Sequence, residues 1–129
     1  MGDVSALPED LRESVARVTA ETAGGKNILN IGINYGGRQA LVRAAEKLRR
    51  GSVPVTDATL AGALDTAGLP ALDFLIRTGG EKRLSNFMLY ESAYAELYFT
   101  DVYWPDFDEG ELDRALEEFS CRSRRFGHL

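Results

Sequence analysis

Apolar residues recur at helical spacing soon after Pro8, at Leu11, Val15 and Val18, which gives one helix with one apolar stripe. Pro8 suits its first turn, and Gly24-Gly25 ends it. The next apolar run, Ile28-Leu29-Asn30-Ile31-Gly32-Ile33, is short and β-branched. It predicts a strand buried on both faces. Asn34-Tyr35-Gly36-Gly37 then reads as a turn, and helical spacing returns from Arg38 to Arg50, with Leu41, Ala44, Ala45 and Leu48 on one side. Gly51 stops that helix. Thr56 to Ala67 predicts a weaker one, ended by Gly68 and followed by Pro70.

The second half continues the alternation. Asp73-Phe74-Leu75-Ile76-Arg77-Thr78 predicts a second strand, Ser85 to Ser92 a short helix, and Leu97-Tyr98-Phe99-Thr100 a third strand. Asp108 with Glu111 three residues on resembles a capping box. It opens a last helix whose buried stripe is expected at Leu112, Leu116 and Phe119. The aromatic group from Tyr90 to Phe107 is expected in the core. Alternating helices and strands favour an α/β fold: a partial parallel sheet of about three strands flanked by helices. Parallel strands want both faces and both neighbours covered. Three strands alone make a thin sheet, so the chain is expected to be part of a larger α/β unit or to pair with another chain.

Composition narrows the classes. The 129 residues suit one domain. The formal net charge is −5, which argues against nucleic-acid binding, since that wants a basic face. A local group of arginines can still reverse the field in one pocket. With one Cys (Cys121) and one His (His128), an internal disulfide is impossible and a zinc site from this chain alone is disfavoured. A hard-cation site of carboxylates remains open. No apolar run reaches the ~20 residues of a membrane span, and the first residues do not read as a signal peptide. The expected location is cytoplasmic, with a peripheral membrane contact still compatible.

The stretch from Ile76 to Glu96 carries the chemistry. A strand ending in Arg77-Thr78-Gly79-Gly80 puts a guanidinium at the carboxyl edge of a sheet, where open α/β folds bind ligands. The glycines allow a tight turn and a close backbone approach. Arg83 and Ser85 follow, with Ser85 expected near a helix start, where free N–H groups attract anions. Two guanidinium forks and a hydroxyl suit a phosphate or diphosphate. Glu81 is placed to orient an arginine, and Glu96 to ligate a Mg²⁺ ion held by the diphosphate. Taken singly, Arg77 reads as a surface arginine, Gly79-Gly80 as a turn and Glu96 as a solvated carboxylate. Arg122 to Arg125 alone would be a helix end complementing its dipole. The combination changes that reading.

Several of these segments, in this order, resemble the cis-prenyltransferases, the undecaprenyl diphosphate synthase family. Asn30 to Arg38 is similar to its strand-turn-helix motif. Ile76-Arg77-Thr78-Gly79-Gly80-Glu81-Lys82-Arg83-Leu84-Ser85-Asn86-Phe87 resembles its isopentenyl-diphosphate motif almost residue for residue. Ala93 to Asp101, Trp104 to Phe107 and the ending Arg124-Arg125-Phe126-Gly127 continue the likeness, and Gly2 to Ser5 match a segment after a mid-sheet strand. The likeness covers essentially the whole chain and corresponds to the C-terminal half of the family fold.

The resemblance implies a Mg²⁺-dependent dimeric transferase that condenses isopentenyl diphosphate onto an allylic diphosphate. Arg77, Glu81, Arg83 and Ser85 would form the isopentenyl-diphosphate site. Glu96 would help hold Mg²⁺ across a dimer interface, and Arg125 and Gly127 would lie near a partner's active site. One departure matters. The family's aspartate-glycine-asparagine-glycine-arginine motif, which holds the allylic diphosphate and supplies the main metal ligand, does not occur here. No catalytic residue is therefore assigned in this half, and the isolated chain is expected to be inactive. Three readings stay open: a subunit whose other half comes from another polypeptide, a non-catalytic accessory subunit in a homo- or hetero-dimer, and an inactive truncated member.

Overall fold

In a computed structural model of the chain, residues 1–122 are described. They form two compact units, Met1–Gly68 and Leu69 onward, each of which stands as follows.

The first unit is helical. A 3-10 turn at Val4–Ala6 is capped by Asp3, whose side chain accepts the Ser5 N–H. Helix α1 (Glu9–Thr22) starts at Pro8 as expected but buries no residue, and Leu11 and Val18 stay about half exposed. Helix α2 (Gly37–Arg50) is the packed one, burying Gly37, Ala40, Ala44 and Leu48. Ala44 and Leu48 of the expected stripe are buried, joined by Gly37 and Ala40, small residues that allow close approach, while Leu41 is half-buried and Ala45 exposed. Helix α3 (Asp57–Ala61) opens on a reciprocal Thr56–Thr59 capping box and packs against α2. It is shorter than the expected Thr56–Ala67 span. Gly62 follows its last residue, and a glycine inside a helix costs about 1 kcal/mol relative to alanine.

The strand expected at Ile28–Ile33 does not form. The segment is irregular, with Ile28, Leu29 and Ile31 exposed. Among the described residues its backbone partner is Met1, whose N donates to the Ile31 carbonyl (2.9 Å) and whose carbonyl accepts the Ile33 N–H (3.0 Å). That is a single parallel rung, and a strand needs a ladder to hold it extended.

The second unit holds the sheet. Strand β1 (Phe74–Arg77) pairs in parallel with β2 (Glu96–Phe99), Phe74 opposite Glu96 and Arg77 opposite Phe99. The α/β class with a small parallel sheet flanked by helices is thus observed, with two strands among the described residues instead of about three. Helix α4 (Glu109–Ser120) is capped by Asp108, which accepts the Glu111 N–H. It covers the sheet face that carries Phe74 and Tyr98. The Phe119 ring lies 4.7 Å from that of Phe74, and Ala115 is fully buried. Leu112 and Leu116, expected in the stripe, are exposed, because the helix meets the sheet through Ala115 and Phe119.

No helix spans Ser85–Ser92. Turns lead instead to a 3-10 helix at Glu91–Tyr94. Ser85, Asn86 and Met88 have φ of 46°, 65° and 45°, a left-handed conformation that a right-handed helix cannot contain. Tyr94, Tyr103 and Trp104, expected in the core, are exposed.

A candidate anion site at the end of the first strand

Arg77 is the last residue of β1, at the carboxyl edge of the sheet. Backbone bonds beyond the strands tie the following turn down. The Thr100 N–H donates to the Arg77 carbonyl (3.0 Å), the Gly80 N–H to Thr100 (2.9 Å) and the Gly79 N–H to Val102 (2.8 Å). Gly79 and Gly80 adopt φ of 87° and 78°, which glycine reaches without penalty. A Cβ on Gly80 would meet the Asp101 carboxylate at 3.3 Å. The glycine pair is therefore required by this turn, and the turn fixes where Arg77 ends.

Beside Arg77 lies a cavity of about 270 Å³, lined by Leu75, Ile76, Arg77, Thr78, Leu84 and Phe87. Four of these residues are apolar, and Arg77 and Thr78 make a substantial part of the lining polar. Arg77 is half-buried, and no carboxylate or other acceptor pairs with it among the described residues. A guanidinium partly withdrawn from water without a partner is unfavourable unless an anion completes it.

The remaining predicted residues fall in three groups. Glu81 and Arg83 form an ion pair, so Glu81 does hold an arginine, though that arginine is Arg83. Ser85 is exposed at the left-handed turn and is not at a helix start; left-handed backbone at Ser85, Asn86 and Met88 displaces the expected helix. None of Glu81, Arg83 and Ser85 lines the cavity, though all follow directly from the strand end that does.

Glu96 stands apart. It opens β2 opposite Phe74, three residues down the ladder from Arg77, about 10 Å along a strand. An odd offset also puts the two side chains on opposite faces. Glu96 is engaged by Arg122, whose guanidinium donates to it at 3.0 Å and to the Leu97 carbonyl at 2.9 Å. Arg122 also pairs with Glu118, and these carboxylates, Glu118 foremost, hold its guanidinium above the ordinary arginine value. Sequence reasoning placed Arg122 only in a solvated helix end. The signal available was its position three residues after Phe119, just beyond the end of α4. Among the described residues no three acidic, His or Cys groups cluster to hold a metal ion, so these residues do not by themselves make a Mg²⁺ site around Glu96. Arg125 and Gly127 lie outside the described residues. No helix among the described residues is long and apolar enough to cross a membrane.

Comparison with known proteins gives a consistent result. The prenyltransferase family described as "Putative undecaprenyl diphosphate synthase" matches residues 1–127. The isoprenyl transferase of Porphyromonas gingivalis is 47% identical over 98% of this chain, which corresponds to 53% of that protein. A Legionella pneumophila ditrans,polycis-undecaprenyl-diphosphate synthase, described as specific for (2E,6E)-farnesyl diphosphate, is 43% identical over 99% of this chain and 57% of its own length. Among solved structures, lavandulyl diphosphate synthase from Lavandula x intermedia, in complex with dimethylallyl diphosphate, superposes with a TM-score of 0.92 at 36% identity. That match covers 99% of this chain and 58% of the other. A Campylobacter jejuni protein described as a probable undecaprenyl diphosphate synthase gives 0.87 at 35% identity. The chain spans just over half the length of the curated relatives it matches.

Proposed function

Because the chain belongs to the undecaprenyl diphosphate synthase family of prenyltransferases, we propose that it carries the isopentenyl-diphosphate site of a cis-prenyltransferase and needs a second polypeptide for turnover. The observation that supports this is the half-buried Arg77, without an acceptor among the described residues, in the lining of a cavity of about 270 Å³ that it shares with Leu75, Ile76, Leu84 and Phe87. A branched five-carbon unit suits walls of Leu75, Ile76, Leu84 and Phe87, and a diphosphate suits the guanidinium at the edge. Arg83, steadied by Glu81, and the Ser85 hydroxyl close on the same diphosphate from the following turn. Their work is positional. They fix the acceptor's double bond where the carbon of an allylic diphosphate becomes cationic.

The allylic diphosphate is held mainly by a missing half or a partner chain, since the aspartate-bearing motif for it does not occur in these residues. Mg²⁺ would neutralise the departing diphosphate, with Glu96 giving one oxygen ligand and the others coming from outside the described residues. Arg125 and Gly127 are assigned in the same proposal to a neighbouring copy's site in a dimer, working in the cytoplasm. The test is incorporation of labelled isopentenyl diphosphate into lipid with farnesyl diphosphate and Mg²⁺. The expected result is none from the chain alone and Arg77-dependent incorporation once a complementary half is supplied. Turnover by the chain alone would overturn the need for a second polypeptide.

A further inference from the structure

Charge is unevenly spread along the chain. Helix α2 holds five of the 15 basic side chains, Arg38, Arg43, Lys47, Arg49 and Arg50, and one of the 20 acidic ones, Glu46. Five cations less one anion give the helix a formal +4, in a chain of net −5. Burial sorts these charges by face. Ala40, Ala44 and Leu48 are buried, and at helical spacing Arg38, Val42, Glu46, Arg49 and Arg50 fall on the opposite side. Arg49 and Arg50 are 73% and 76% exposed, and both donate to Glu46, at 2.7 Å and 2.9 Å. One carboxylate thus serves two guanidiniums and leaves a positive charge uncompensated. Lys47, on the flank, is exposed and has no partner among the described residues. Bare apolar side chains lie among these cations. Val42, on the outer face, is 69% exposed, and Val53 and Val55, just past the helix, are 41% and 64% exposed.

These features together select the partner. It has to be anionic, and it has to accept scattered short apolar groups. A bilayer surface bearing anionic headgroups does both: its phosphates meet the guanidiniums and the ammonium, while the valines enter the boundary between headgroups and acyl chains. A nucleic acid would engage the cations alone and leave the valines in water. A protein partner grips desolvated aromatic, arginine or large aliphatic anchors, and this face offers no apolar side chain larger than valine. No helix among the described residues is long and apolar enough to cross a membrane, so any contact they make with one is through a surface. We propose that the outer face of α2, with the loop that follows it to Val55, docks on an anionic membrane surface. Docking of this kind needs neither substrate nor a second polypeptide, so it stands apart from the prenyl-transfer reading. Where both hold, an apolar prenyl product is released beside the phase it partitions into.

The test sediments the full chain with vesicles of mixed phosphatidylcholine and phosphatidylglycerol, and with pure phosphatidylcholine vesicles as the control. Binding is expected to the mixed vesicles only, and it should weaken as salt is raised. Each cation at an anionic surface contributes about fivefold in partitioning, so the double variant Lys47→Gln, Arg50→Gln should bind about 25-fold more weakly. Glu46→Gln separates docking from a structural role. It removes two ion pairs, yet it frees both guanidiniums and adds one positive charge, so binding should strengthen about fivefold. Val42→Ser should weaken binding with no change of charge. Arg17→Gln, an exposed cation on α1 paired with Glu21, should leave binding unchanged. Urea unfolding of each variant checks that the chain stays folded. Equal binding to both vesicle types, no binding to either, undiminished binding by the Lys47/Arg50 variant, or no gain from Glu46→Gln would overturn the proposal. So would retention of single-stranded RNA in place of vesicles, which would assign the face to nucleic acid.

Discussion

Replacing Arg77 by alanine separates a binding role from a structural one with unusual clarity, because its guanidinium has no acceptor among the described residues. The substitution breaks no internal hydrogen bond or ion pair, so stability should change by less than about 0.5 kcal/mol, the range of ordinary surface changes. Affinity for isopentenyl diphosphate should fall steeply. A hydrogen bond to a charged group contributes about 1.5–3 kcal/mol, which at a factor of ten per 1.4 kcal/mol is a loss of about 10- to 150-fold. Arg77→Lys should recover only part of it, since an ammonium keeps the charge but not the bidentate fork. Binding by a single half-site will be weak, so chemical-shift titration of the Gly79 and Gly80 amides with isopentenyl diphosphate is the suitable assay, with urea unfolding of the same samples. Unchanged affinity in Arg77→Ala would refute the reasoning. So would a loss of affinity accompanied by destabilisation of about 1.5 kcal/mol or more, because Arg77 would then be holding the fold.

Three further outcomes are expected. Gly80→Ala forces a left-handed residue and brings a Cβ to 3.3 Å from the Asp101 carboxylate; urea unfolding should show a loss of about 1–2 kcal/mol, and no loss would mean that the turn relaxes freely. Asp108→Ala removes the side chain that accepts the Glu111 N–H at the start of α4 (3.0 Å) and should cost about 1 kcal/mol, read from the same measurement. Glu46 bonds Arg49 and Arg50, which, Arg49 foremost, lower its carboxyl from 4.5 to about 2. Its contribution to stability is therefore complete above pH 4.5 and lost as pH falls from there to about 2, and a carboxyl titration midpoint near 4.5 would contradict that pairing.

What was legible in the sequence divides along physical lines. Local signals held: Pro8 starts α1, Gly37 to Arg50 is helical, Asp108 caps α4, and the strands at Phe74–Arg77 and Glu96–Phe99 form where apolar runs meet turn residues. The family-like motif around Arg77 also fell at the end of a strand, as its glycines required. The failures are of another kind. Ile28–Ile33 has the composition of an interior strand, yet strand structure depends on a neighbour, and Met1 supplies one rung. The stripe of α4 passes through Ala115 in place of Leu112 and Leu116, because a small residue permits the close approach that periodicity alone cannot rank. Of the left-handed residues Ser85, Asn86 and Met88, the first two carry side chains that would also suit a helix start, so only tertiary context separates the two.

The positions of Arg77 and Glu96 constrain how one site can use both. The ladder puts them about 10 Å apart along the strands, from three residues at about 3.3 Å each, and on opposite faces of the sheet. Glu96 faces the side covered by α4, where Arg122 donates to it, and Arg77 faces the cavity side. A carboxylate and a guanidinium so arranged cannot grip the same diphosphate within one copy of this chain. If both serve prenyl transfer, they serve different copies of the site, Arg77 its own and Glu96 that of a neighbour. Arg122 would then be the group that holds Glu96 oriented at the sheet edge until metal ligands from outside the described residues reach it. The pairing with Arg122 gives Glu96 a partner at that edge, and among the described residues no three acidic, His or Cys groups cluster there to hold a metal ion. On the proposed reading, metal binding at Glu96 would depend on ligands from outside the described residues.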